Sequence, residues 1–427
     1  MQNSNPPRAE VLFDSPFRRF HNQVMKDFYR LSAIGVLLLC PLVTRPAGAQ
    51  LVPLGPETAV VSDHELALEC PQVIGHADRS FTVVWSRALE PTAQSIMAQR
   101  FDGTGAPVGA LIDVDAGGAL TGRYLFDVKA ENRGALGDIV TWSSFVVDTA
   151  GSHWRFDSRL LAAAASARVA TPSYVRQLFP RSVGGYLGVW PVTNGCSFAL
   201  LDASGRITSP TTKISGADPE TRCVEAAQAR DGSFALDWYR PIPLGTNRSR
   251  RFGATAKPLG PESGPADGIA GEVQLASAPD GRTALAWIDF VPNPGGVKGP
   301  LRAQFFAADG RPASPAATLD TPTPPVTGGT SFGPDAVAMD RLGRALIVWD
   351  FQTADQAPNP APSRFNLQLR TPAGAASPVL DLGASPVQTG GALFCASAAA
   401  AGRTWVVVWR ARLANGDLAI FVRRFFS

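Results

Sequence analysis

The most regular stretch of apolar and polar positions runs from Ser80 to Asp115, SFTVVWSRALEPTAQSIMAQRFDGTGAPVGALIDVD. Phe81-Thr82-Val83-Val84-Trp85 is β-branched and aromatic, too short for a helix and bounded by polar turn residues, so it predicts a strand. Ser95 to Phe101 alternates, imperfectly, between apolar and polar side chains. Asp102-Gly103-Thr104-Gly105 then supplies a turn, because glycine accepts positive φ without steric cost. Leu111 to Val114 is a further β-prone run, and another precedes the tryptophan between Glu69 and Ile74. These runs predict a four-stranded antiparallel meander.

The unit recurs. A tryptophan closes the second strand as VVW at Trp85, IVTW at Trp142, LGVW at Trp190, ALDW at Trp238, ALAW at Trp287, IVW at Trp349 and VVVW at Trp409. Successive tryptophans lie 57, 48, 48, 49, 62 and 60 residues apart. A period in this range with four strands per unit predicts an all-β, seven-bladed β-propeller. Gln99-Arg100-Phe101-Asp102 is echoed at Trp154 to Asp157, Arg250 to Gly253, Ala303 to Phe306 and Arg423 to Phe426, and Asp-Gly turns recur at Asp231-Gly232 and Asp280-Gly281.

The seventh unit reaches only its third strand before Ser427, and a candidate for the fourth lies at the other end of the chain. Pro53-Leu54-Gly55-Pro56-Glu57 is identical to Pro258-Leu259-Gly260-Pro261-Glu262, which leads to a fourth strand within the array. The segment after residue 49 is therefore expected to be the outer strand of the last blade, closing the ring and removing exposed edges.

The succession VVW, AQRFD and G-x-P-x-G resembles the β-propeller-like repeats of secreted and cell-envelope bacterial proteins. The resemblance covers nearly all of the chain after the leader, although the second and third units lack the G-x-P-x-G turn. It implies a fold and no particular activity.

Residues 1–49 are expected to be an N-terminal extension plus signal peptide. Leu31 to Val43 is an apolar core too short to span a bilayer, Lys26 and Arg30 precede it, and Ala47-Gly48-Ala49 forms a cleavage site before Gln50. Met25 would itself make a compact start. Lipoprotein processing wants a small residue before its cysteine, whereas Leu39 precedes Cys40. Export to the periplasm or beyond is expected, with residues 50–427 forming a single propeller domain. Without the leader, Lys plus Arg falls from 39 to 33 and Asp plus Glu from 36 to 33. A neutral chain with no basic stripe is not expected to bind nucleic acid, and no second apolar run approaches membrane-spanning length. A monomer without prosthetic group or metal is expected.

Four cysteines follow the leader, an even number that suggests disulfides in an exported protein. Cys70, Cys223 and Cys395 each stand fourteen or fifteen residues before a repeated tryptophan. Ring closure makes the first and seventh units neighbours, which pairs Cys70 with Cys395, while Cys196 and Cys223 belong to adjacent units. Buried free thiols are the alternative.

Units five and six carry insertions at VPNPGGVKGP after Trp287, QTADQAPNPAPS after Trp349 and TPTPPVTGGTSFGP at 321–334. The resemblance implies that all three share one face of the ring. Asn293, Lys298, Gln352, Asp355 and Asn359 are the polar binding candidates there. The alternative is tolerated surface decoration.

Recognisable chemistry is sparse. His64, His76 and His153 match no metal spacing and read as solvated loop residues, and no nucleophile elbow, H-E-x-x-H helix or P-loop is present. The Asp-Gly turns depart from the S-x-D-x-G-x-x-W box of sialidase-like propellers and read as hairpin turns, and Gly184-Gly185-Tyr186 resembles a kelch blade only once. Asp289 and Asp350 occupy nearby positions of adjacent units and are the candidate carboxylate pair of a glycoside hydrolase. A tryptophan filled once per unit is better explained by blade packing than by sugar stacking. The expected function is a non-catalytic binding or scaffolding module for an envelope protein or glycan; the alternative is a secreted propeller enzyme acting on carbohydrate.

Overall fold

The computed structural model describes residues 50–63, 70–90, 93–115, 124–148, 151–163, 166–193, 195–215, 225–240, 246–262, 269–291, 297–321, 332–351, 364–384, 395–413 and 417–427. The chain divides into two compact units, Met1–Ala47 and Gly48–Ser427, and the first lies outside the described residues.

The second unit is a closed ring of seven antiparallel sheets. Blade I shows the repeating logic, with Gln72–Gly75, Phe81–Glu90, Ala93–Phe101 and Pro107–Asp113 hydrogen-bonded in chain order from the axis outwards. Blades II (124–169), III (177–215), V (269–320) and VI (332–384) repeat this four-stranded meander. Blade IV contributes Glu225–Gln228, Phe234–Arg240 and Thr246–Phe252, and beside the last of these Pro258 forms a bridge to Phe252. The only helical element among the described residues is a single 3-10 turn, Gly134–Leu136, and none of their helices is long and apolar enough to cross a membrane.

Blade VII is assembled from both ends of the unit. Ala396–Ala401, Thr404–Arg412 and Leu418–Phe426 supply three strands, and Val52–Pro53 and Thr58–Asp63 add the outer edge against the last. The sequence identity between Pro53–Glu57 and Pro258–Glu262 has a physical counterpart. Leu54 N–H donates to the Arg424 carbonyl at 2.8 Å, and Leu259 N–H donates to the Arg251 carbonyl at 2.9 Å. The N-terminal segment thus stands where every other blade places residues that follow its third strand.

The repeated tryptophans explain why the blades associate. Trp85, Trp142, Trp190, Trp238, Trp287, Trp349 and Trp409 are all buried, and each belongs to a different hydrophobic cluster. Six of these clusters span neighbouring blades; Trp349 of blade VI, for example, packs with Ala286, Ile288 and Leu301 of blade V. Trp405, two turns of the pleat before Trp409, shares its cluster, as even spacing on a strand requires. Burying each indole removes a large apolar area from water, in six of the seven cases within a cluster shared by two blades.

A second inter-blade device was not legible in the sequence. Arg133 Nη2 of blade II donates to Gly185 O of blade III at 2.6 Å, Arg181 Nη2 of blade III to Ala254 O of blade IV at 2.8 Å, Arg282 Nη1 of blade V to Leu342 O of blade VI at 3.0 Å, and Arg424 Nη1 of blade VII to Gly103 O of blade I at 2.6 Å. The receiving turns are tight. Gly343 has a φ of 77°, which favours glycine, and a Cβ there would push the Arg282 guanidinium aside.

The register corrects part of the sequence alignment. Phe101, Phe252 and Phe425 do occupy one ladder position, opposite Phe81, Phe234 and Trp405. Phe305 is one residue out, because Phe306 faces Thr283, and Phe156 is five out, because Leu161 N–H bonds Asp138 O at that level. The longer second hairpin of blade II slides the motif without changing its residues.

Candidate functional site

The inner strands of all seven blades enclose a central channel of about 580 Å³. They can approach closely because their residues are small. A Cβ on Gly75 of blade I would meet the Ala400 carbonyl of blade VII at 2.2 Å. On one side, blades V to VII line the channel with Ala276, Ala336, Ala338, Ala396 and Ala398; on the other, blades II and IV present Lys129, Glu131 and Glu225.

Irregular backbone sets the charged groups. The ladder of the blade II inner strand, Tyr124–Asn132, shifts between Phe126 and Lys129, and Asp127 at that bulge has φ of 51°, a conformation uncommon outside glycine. The blade VI inner strand, Phe332–Met339, shifts between Pro334 and Ala336, leaving Asp335 at its bulge, and that of blade V, Ile269–Ser277, does so at Glu272. All three acidic residues fall beside the repeated tryptophan of their own blade, a coincidence that only register reveals. Lys129 Nζ reaches Glu225 Oε2 at 3.6 Å, passing over the Phe179 ring of blade III at 5.6 Å, so blades II and IV are joined in front of blade III. Burial, with Glu225 nearby, raises the Asp237 carboxyl well above its ordinary range.

At the end of the channel nearer the hairpin between the first two strands lies a smaller bowl of about 170 Å³. Here His76 is not solvated, as its sequence context suggested, but largely enclosed. Its Nε2 lies 3.2 Å from Asp138 Oδ2 and 3.1 Å from Thr82 Oγ1, while Thr82 Oγ1 donates to the same carboxylate at 2.8 Å and Asn132 Nδ2 donates to Asp138 Oδ1 at 2.8 Å. Burial alone would raise the Asp138 pKa, but hydrogen bonds from His76, Asn132 and Thr82 bring it below the usual value. The network ties blade I to blade II. Glu131 sits beside it, lining both the channel and the bowl. Burial pushes its carboxyl up to about 7, opposed by Arg133 and assisted by Asp138.

The candidate acids are engaged within their own blades. Asp289 Oδ1 accepts from Trp287 Nε1 at 2.8 Å and its Oδ2 accepts from Arg302 Nε. Asp350 is buried, and its Oδ1 accepts Gly333 N–H at 3.1 Å. The Trp349 indole uses Asp320 instead, at 3.0 Å. Of the loop candidates, Asn293, Gln352, Asp355 and Asn359 lie outside the described residues, as does His64. Lys298 pairs with Phe290 through the backbone at the head of Val297–Phe306. His153 stands on Gly151–Leu160.

Cys70 and Cys395 form a disulfide with Cα atoms 5.4 Å apart, joining blades I and VII at the channel wall. Cys196 is also disulfide-bonded; Cys223, its expected partner, lies outside the described residues. The Asp-Gly turns are Asx turns: Asp231 Oδ1 accepts Ser233 N–H at 2.9 Å, and Asp280 Oδ1 accepts Arg282 N–H at 3.2 Å. Tyr186 of the kelch-like triplet is buried, its hydroxyl 2.8 Å from Ser158 Oγ of blade II. No group of three or more His, Cys, Asp or Glu among the described residues converges as a metal site.

No protein-family model and no curated protein matches the chain. Solved structures, a β-propeller domain among them, are similar in fold. The β-propeller domain of the trilobed protease from Pyrococcus furiosus shares 11% identity over 86% of this chain and 94% of its own, with a TM-score of 0.44. A protein of unknown function from Dyadobacter fermentans shares 10% over 88% and 99%, with a TM-score of 0.47. An α-L-arabinofuranosidase from Fusarium graminearum shares 9% over 87% and 98%, with a TM-score of 0.42. At such identities the likeness extends to architecture alone.

Proposed function

We propose that this protein is an exported propeller that binds a ligand in its central channel without transforming it, as a module of the bacterial cell envelope. The observation that carries this reading is the channel itself: seven inner strands converge on one volume whose walls mix small apolar and charged side chains. The carboxylates that chemistry would have needed support it too, since Asp289 spends both oxygens on Trp287 and Arg302. Export is supported by the Cys70–Cys395 disulfide, a bond that persists in oxidising compartments, and by the leader read in residues 1–49. The insertions at 291–300, 321–334 and 352–363, which lie largely outside the described residues, are proposed to shape the approach to the site.

The test is a binding and turnover screen of the full chain against envelope glycans and extracted envelope proteins. The expected result is saturable binding without product, lost in Ala398→Trp, which fills the channel. Glycan hydrolysis that disappears in Asp289→Asn or Asp350→Asn would overturn it in favour of a carbohydrate-active enzyme.

A further inference from the structure

Resting on the channel as the binding site, we propose that its ligand is an acidic glycan, whose uronate-type sugars enter by the bowl with carboxylates at the rim and hydroxyls inside. The hairpins joining the first two strands of the blades meet around this mouth. Ser182 Oγ of blade III donates to Ala229 O of blade IV at 2.7 Å, and Arg282 of blade V reaches the Leu342 carbonyl of blade VI. Each described acid on these hairpins is engaged. Asp78 accepts from Ser80 and lies 3.6 Å from Arg100 Nη2, Asp138 holds His76, and Asp231 accepts from Ser233. Asp280 Oδ2 pairs with Arg282 Nη2 at 2.6 Å, and Asp340 Oδ2 with Arg344 Nη2 at 2.7 Å. By contrast, Arg79, Arg230, Arg341 and Arg403, on the hairpins of blades I, IV, VI and VII, are exposed and have no carboxylate partner among the described residues. Guanidiniums without carboxylates around one opening attract an anion.

A second observation narrows the anion. Arg230 and Arg341 line the bowl directly, together with Ser277 and Gln228. Ser277 Oγ and Gln228 Oε1 are buried without a hydrogen-bond partner, whereas Gln228 Nε2 donates to Pro180 O. A buried amide oxygen calls for a donor. An ionised phosphate or sulfate brings it only acceptors, but a sugar hydroxyl donates to Gln228 Oε1 and accepts from Ser277. A bilayer surface carries anions too, yet it cannot enter a bowl of about 170 Å³. One sugar ring bearing both a carboxylate and hydroxyls matches the rim and the interior together. The acids lining the bowl oppose it little: Asp340 is paired with Arg344, and Glu131, raised to about 7 by burial, holds only part of a negative charge near neutral pH. The free arginines stand on four blades, so successive uronates of one chain can be held at once and a polymer gains over its monomer.

Calorimetric titration of the full chain with galacturonic acid, its trimer and its hexamer tests this. The methyl ester of the hexamer is the neutral control, and tripolyphosphate and phosphatidylglycerol vesicles are anions without a sugar ring. Affinity is expected to rise from monomer to hexamer, to fall with added salt, and to be at least about tenfold weaker for the ester. Arg230→Gln and Arg341→Gln together are expected to weaken hexamer binding about tenfold, and Ser277→Ala about threefold. Ser277→Ala should leave the melting temperature unchanged, because its hydroxyl has no native partner to lose. Arg311→Gln, on an outer hairpin of blade V, should leave binding unchanged, a pattern that a folding defect cannot imitate. Absence of saturable hexamer binding, equal affinity for the ester, tripolyphosphate or the vesicles, no effect of Ser277→Ala, or a loss in Arg311→Gln matching that of the rim pair would each overturn the acidic glycan. If Ala398→Trp abolishes binding of another envelope ligand while galacturonates do not bind, the channel site stands and only the acidic glycan falls. If galacturonates bind equally well to the rim pair and to Ala398→Trp, both fall.

Discussion

Leu54 donates its backbone N–H to the carbonyl of Arg424 at 2.8 Å, and the Arg424 side chain turns back toward Leu54 O at 3.4 Å while reaching Gly103 O in blade I. One arginine thereby joins the outer strand of blade VII, its neighbour in the sheet and the next blade. Arg424→Ala is expected to lower stability by about 1–3 kcal/mol, because carbonyls satisfied by a charged donor lose their partner. Chemical denaturation measures it, and a change within error would show that the backbone ladder alone closes the ring.

The disulfide acts at the same seam from the inside. Replacing both Cys70 and Cys395 by serine is expected to destabilise the chain by about 2–4 kcal/mol, through a denatured state freed of a very long loop. A reducing agent should shift the midpoint of the parent and leave that contribution absent from the double variant.

Trp349 is fully buried between blades V and VI, whereas Leu342 at a hairpin tip is 67% exposed. Trp349→Ala is expected to cost about 3–5 kcal/mol and Leu342→Ala less than about 0.5 kcal/mol. Equal effects in thermal melts would remove the tryptophans from the account of blade cohesion.

How far the chain was legible follows from these contrasts. The tryptophan is large, apolar and fixed in register within its strand, so its period survived the loss of other identity, and with it the blade count. The Leu54 and Leu259 contacts were legible because the turn leading to an outer strand was copied residue for residue. The channel was not. Its walls are built from alanines that carry no distinctive signal, and Asp127 and Asp335 reach the axis through bulges that depend on pairing partners. His76 misled for the related reason that Asp138 is distant in sequence and close in space. Asp289 and Asp350 were conspicuous beside tryptophans, and the same adjacency gave them structural partners.

Glu131 and Asp138 predict opposite dependences on pH. Glu131 has its carboxyl raised to about 7 from an unfolded value near 4.5, so the folded state holds the proton longer and stability falls as pH rises between those values. Glu131→Gln should therefore match the parent at pH 4 and exceed it by about 1–3 kcal/mol at pH 8. The Asp138 carboxyl is lowered, so its contribution is present at neutral pH and lost as pH falls through its folded value. Asp138→Asn should weaken the protein at pH 7 and converge with it in acid, and melts across pH 3–8 compare the two.

Val52 faces Phe426 at the free end of an antiparallel pair, so tension applied to the two extremities would unzip that pair rung by rung instead of shearing it. Peeling would halt at the Cys70–Cys395 crosslink, which then carries the load and shields the 325-residue span behind it. Counted from Gln50, the start expected once the leader is removed, a protein tethered at both ends would extend by only roughly 190 Å before becoming stiff, the reach of the tails outside the crosslink. Blade VII would come apart while the other six stayed unloaded, giving the ring the behaviour of a shackle with a breakaway strap.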